Sequence, residues 1–142
     1  MSPRRLGIAL ALVAAAAGPA GAHEGGTNGY ATITVDGDRA RYILALWPEA
    51  LPEALAADIR RAQAGDETSR GRLTDLVRDK VTLTAGGRRC AVAGGSARPV
   101  PPASTALTLV LDFVCGGDVT TLRIRDDLFD VLGADHHTLA RI

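Results

Sequence analysis

Three histidines, two cysteines and one tight group of aspartates carry most of the chemistry this sequence could perform. His23 follows Ala20-Gly21-Ala22. Cleavage after Ala22 would make it a terminal residue, whose α-amine and ring Nδ1 can grip one metal ion as a bidentate chelate. A second imidazole would complete a T-shaped site suited to copper, with nickel the other candidate. Asp135 and His137 are two residues apart, so on a strand they share a face while His136 points the other way. The expected ligand set is therefore His23, Asp135 and His137. The amine, with a reference pKa near 7.7, and the imidazoles must lose protons to bind, so such affinity falls below about pH 6.

Cys90 and Cys115 are the only cysteines. Both fall on the apolar phase of predicted strands, and in an exported chain they are expected to be bonded. Closing that loop is worth about 3.5 kcal/mol in the chain-entropy estimate. A redox pair would be closely spaced, as in C-x-x-C, and a zinc site would need more ligands. Asp126, Asp127 and Asp130 gather near Phe129 and read as a solvated strand-turn edge rather than an acid/base or calcium site. There is no phosphate loop and no zinc-protease pair, and Gly94-Gly95-Ser96-Ala97 lacks the second glycine of a nucleophile elbow. No residue is assigned a catalytic role, and the chain is expected not to be an enzyme.

The elements that must position these groups follow from periodicity. Ala31, Ile33 and Val35 alternate with Thr32 and Thr34, Asp36-Gly37 turns the chain, and Ala40, Tyr42, Leu44 and Leu46 alternate on the return. After Trp47 the period becomes helical. Pro52 opens a helix carrying Leu55, Ile59 and Ala62 that Gly65 ends, and Ser69 is placed to cap a second one with a Leu73, Leu76 and Val77 stripe. Strands resume with Val81 and Leu83, turn at Gly86-Gly87, and continue through Cys90 and Val92. The stretch from Gly94 to Pro102 reads as a loop. Leu107 to Cys115 gives the longest strand, Leu122 and Ile124 against Arg123 and Arg125 another, and Thr138 to Ile142 a last one. The expected fold is mainly β, a β-sandwich or partly open barrel with a short helical insertion between its second and third strands.

Residues 1–22 have the order of a secretory signal, with Arg4 and Arg5, an apolar run from Leu6 to Ala17 and a small-residue end. The run is too short to span a bilayer, and no later stretch comes close, so no transmembrane segment is expected after cleavage. Residues 23–142 form a single β-rich domain, expected in the periplasm or secreted. In the whole chain of 142 residues, sixteen Lys+Arg balance sixteen Asp+Glu. Loss of Arg4 and Arg5 leaves a mildly acidic domain without the basic field of a nucleic-acid binder.

Several of these features together resemble the extracytoplasmic N-terminal domain of HupE/UreJ-like membrane proteins. They are the signal ending at Ala22 before His23, the strand from Tyr30 closed by Val35-Asp36-Gly37, and the helical segment. After it come Val81-x-Leu83 with Gly87-x-x-Cys90, Leu109-x-Leu111-x-Phe113-x-Cys115, and Leu128-Phe129 running to His137-x-Leu139. The resemblance spans nearly all of the domain. It implies a β-rich periplasmic cap set before a multi-helix membrane part, an inner-membrane protein as partner, and a link to metal supply, since the family name comes from hydrogenase and urease accessory proteins. The membrane part has no counterpart in this sequence, so no transport activity carries over. Gly65-Asp66-Glu67-Thr68-Ser69 is too short and too poor in carboxylates for the calcium-like loop that relatives often carry. The expected function is a non-catalytic partner-interaction module, with a copper- or nickel-binding protein using His23 as the alternative.

Overall fold

The computed structural model describes residues 28–100 and 104–142. The leader and His23 lie outside the described residues. The alternation at the start of the domain builds β1 (Asn28–Asp36) and β2 (Arg39–Leu46), an antiparallel hairpin in which Ile33 faces Tyr42 and Ala31 faces Leu44. A single 3-10 turn at Pro48–Ala50 then leads to α1 (Glu53–Gln63) and α2 (Glu67–Lys80). After the helices come β3 (Val81–Ala85), the two-residue β4 (Arg88–Arg89), β5 (Ala91–Pro99), β6 (Leu107–Val114), β7 (Leu122–Asp126), the one-turn α3 (Phe129–Leu132) and β8 (His137–Arg141). The helical insertion lies between the second and third strands, as the sequence implies.

The strands form two sheets, one ordered β5-β6-β2-β1-β8 and one ordered β4-β3-β7. The fold is mainly β and neither sheet closes into a barrel. One core joins them: Ile33, Tyr42, Leu44, Leu109 and Leu111 of the large sheet, Val81 and Leu83 of the small one, and Ile59, Leu73 and Val77 of the helices. Burying these side chains drives the fold, at roughly 1.5–3 kcal/mol for each large one. The helices cover the β5–β6 half of the inward face. The opposite face of the large sheet, with Thr32, Thr34, Arg41, Ile43, Val110 and Asp112, is exposed or half-buried.

Two local expectations need correction. Ser69 does not cap α2. Asp66 is the cap, its carboxylate accepting from the backbone N–H of Thr68 and Ser69, while Ser69 sits buried inside the first turn and donates its hydroxyl to Asp66. The cap stands three residues upstream of the expected one, so the helix starts three residues earlier and Asp66 satisfies the orphan donors of that first turn. Gly94 to Pro99 is also not a loop, because β5 runs through Pro99 and pairs with β6 from Ala91↔Val114 to Pro99↔Leu107, with a bulge between Val92 and Gly94. Its glycines suit the strand because α2 presses on it. A Cβ on Gly95 would stand 2.6 Å from Thr74 Cγ2 and 3.1 Å from Leu111 Cδ2. Gly here marks a close approach, not a turn.

The expected disulfide is present. Cys90 and Cys115 are bonded, with Cα atoms 4.1 Å apart. Cys90 lies where the chain leaves the small sheet for the large one, and Cys115 directly follows β6, so the bond fastens one sheet to the other. Their backbone N–H groups donate to Leu83 O and Asp38 O at 2.9 and 2.8 Å, which fixes both ends.

Candidate functional site

Polar side chains sit on inward-facing positions at one end of the molecule. On β2 the inward phase of Ala40, Leu44 and Leu46 includes Tyr42, and on β7 the phase of Leu122 and Ile124 ends in Asp126. The two meet between the sheets, where the Tyr42 hydroxyl donates to Asp126 Oδ2 at 3.1 Å. The other carboxylate oxygen accepts from Leu128 N at 3.0 Å, the bond that turns β7 into α3. His136 completes the group. A turn closed by His136 N–H to Gly133 O at 2.9 Å tips its ring inward, where it is 6% exposed and lies 3.3 Å from Thr138 Oγ1. The ring also lies against the backbone of β1: a Cβ on Gly29 would come within 3.2 Å of it.

These groups line a cleft of about 470 Å³ whose walls include Ile124, Phe129, Leu139 and Ala140. Burial pushes the His136 pKa below the ordinary imidazole range; the Asp126 carboxylate pulls it up and His137 adds to the depression. Burial first, and Asp126 second, hold the Tyr42 hydroxyl far above the usual phenol value. Both shifts favour the neutral forms of Tyr42 and His136 near neutral pH.

The structure spreads the aspartates apart instead of gathering them. Asp127 pairs with Arg125 at 2.7 Å and Asp130 with Lys80 at 2.9 Å, both at the surface as expected, while Asp126 alone turns inward. Asp135 lies in the turn ahead of β8, not on a strand, and His137 is the first residue of the strand; both are exposed, on the side away from His136. His136, set aside in the sequence, is the buried histidine, and His137 is exposed. Among the described residues no three His, Cys, Asp or Glu side chains gather to hold a metal ion.

β8 ends the large sheet, pairing in parallel with β1 along Asn28↔His137, Tyr30↔Leu139 and Thr32↔Arg141. Of the five large apolar side chains left exposed among the described residues, four surround this strand. They are Tyr30 (50%), Phe129 (48%), Leu139 (53%) and Ile142 (80%). Tyr30 stacks edge-on against Trp47, with ring centroids 5.5 Å apart, which extends the patch onto the end of β2. Sequence alternation could have located Tyr42 and Asp126, since each is a polar residue on an apolar phase. The inward turn of His136 has no such signature.

This is a β-sandwich-like domain with an apolar sheet edge beside a polar cleft. No protein-family model, curated protein or solved structure matches the chain. None of the described helices is long and apolar enough to cross a membrane.

Proposed function

We propose that this chain is a non-catalytic, exported interaction module resembling the periplasmic cap of HupE/UreJ-like proteins, and that it holds an inner-membrane partner linked to metal supply along β8. The observation that carries the reading is the crowding of exposed Tyr30, Phe129, Leu139 and Ile142 around the strand that ends the large sheet. Edge strands present unpaired N–H and C=O groups, and proteins ordinarily blunt them with charge, proline or cover. An edge dressed instead with large apolar groups suits strand addition by a partner. The bonded Cys90 and Cys115 support an oxidising compartment and hence export. A photo-crosslinking residue at Leu139, compared with one at exposed Glu53 on α1, tests the proposal. Adducts with an inner-membrane protein from Leu139 alone, lost in Tyr30→Arg, are expected; equal adducts from both sites, or none, would refute it.

A second reading, a copper or nickel chelate, draws support from the pairing of Asn28 with His137. Residue 28 enters β1 beside the start of β8, and the five steps from His23 to Asn28 can span up to about 18 Å. His23, with its amine free after processing, would then have reach of His137, with Asp135 two residues before it. Calorimetric titration of protein starting at His23 is expected to show tight binding that one additional leading residue removes. Unchanged affinity would eliminate the chelate.

A further inference from the structure

We propose that the cleft behind β8 is the specificity pocket of this edge, taking the cationic side chain of a lysine or arginine from an extended segment laid along the strand. This rests on the docking reading above and adds to it the chemistry of the partner.

Three observations converge on a basic side chain. The cleft shares its wall with the edge itself, since four consecutive residues, His137 to Ala140, line it. A strand paired to β8 would therefore pass its mouth, and in strand addition the main chain supplies affinity while side-chain pockets supply selection. Asp126 supplies the charge. It accepts from Tyr42 and Leu128 but has no ion-pair partner among the described residues, whereas Asp127 and Asp130 beside it are each matched by a cation. A carboxylate in a partly dry recess gains most from an ammonium or guanidinium that brings its own donors. The walls fit the rest of such a side chain, because Ile124 and Ala140 can pack its methylene stem and Phe129, half-exposed on the same lining, is an aromatic partner for the cation. A glutamate in the same place would meet Asp126, and an apolar side chain would leave that carboxylate without a partner.

The test uses three labelled seven-residue peptides of alternating threonine and valine with lysine, norleucine or glutamate at the centre, followed by fluorescence anisotropy. The lysine peptide is expected to bind about tenfold more tightly than norleucine, and glutamate least, with Asp126→Asn removing the difference. Should that variant fail to fold, the unmodified protein supplies the readout. The His136 ring resonances should move with n-butylamine and stay in place with butyrate. Equal binding of the three peptides would overturn the pocket while leaving edge docking intact; failure of all three, together with loss of the Leu139 adducts, would overturn both. A dimer in sedimentation that Asp126→Asn does not weaken would put a second copy on the edge and likewise refute the proposal.

Discussion

Reducing the bond between Cys90 and Cys115 should cost this domain a large part of its stability, and the loss should come from the unfolded chain. The cysteines are 25 residues apart, and constraining a loop of that size is worth about 3.5 kcal/mol. Both residues are almost wholly buried, at 3% and 5% exposure, so the thiols left by reduction stay in the core and contribute little packing change. Against total stabilities of about 5–15 kcal/mol, that is a quarter or more of the whole for a domain of this size. Urea melts of the unmodified protein with and without reductant are the cleanest comparison, because serine variants would also bury two hydroxyl groups. The midpoint should drop and the slope should rise, since the open chain exposes more surface than the cross-linked one. A difference below about 1 kcal/mol, with unchanged slope, would refute the unfolded-state argument.

Gly95→Ala is expected to cost about 1–3 kcal/mol, because its Cβ would overlap Thr74 Cγ2 while the Thr74 hydroxyl is held by Arg70 O at 2.8 Å. Adding Thr74→Ser, which removes that methyl and keeps the hydroxyl, should recover much of the loss in a double-mutant cycle; strictly additive losses would refute the contact. Asp66→Ala should fray the first turn of α2, seen as faster hydrogen exchange at Thr68 and Ser69, with the rest of the domain unchanged. The depressed pKa of His136 means the unfolded chain takes up the proton first, so stability from this residue is complete above about pH 6.5 and falls as pH drops toward the lower native value. Urea midpoints of the native protein should therefore fall more steeply between pH 7 and pH 5 than those of His136→Gln, and parallel curves would contradict it.

Where one face of a strand is buried, the sequence carries the structure plainly. Leu107, Leu109, Leu111 and Phe113 are all buried, and the β1–β2 register follows the alternation through Tyr42 and Leu44. The disulfide was legible for the same reason, since both cysteines stand on apolar phases. Legibility ended where distant chain segments decide the outcome. Gly94 to Pro99 carries loop composition, yet it is a strand because β6 pairs with it and α2 needs the space that Gly95 leaves. The parallel pairing of β8 with β1 cannot be inferred from the residues of either strand. That pairing, with the turn at Gly133, sends His136 inward and leaves His137 outside; a two-residue strand period sets the two on opposite sides and does not say which side is the inner one.

The position of the staple bears on why the polar cleft can exist. Tyr42, Asp126 and His136 occupy inward positions that apolar side chains could fill, and burying polar groups there opposes folding unless they are bonded. The protein meets part of that cost locally, through the Tyr42–Asp126 and Asp126–Leu128 bonds. Cys115 follows Val114, which pairs with Arg39 at the start of β2, whereas the His136 ring lies against Gly29, near the opposite end of the β1–β2 hairpin. The covalent tie thus secures the two sheets at one end, and the other end is free to keep a recess lined by a carboxylate and an imidazole. In the proposed docking reading, the apolar edge would supply contact area and the polar recess would supply selection.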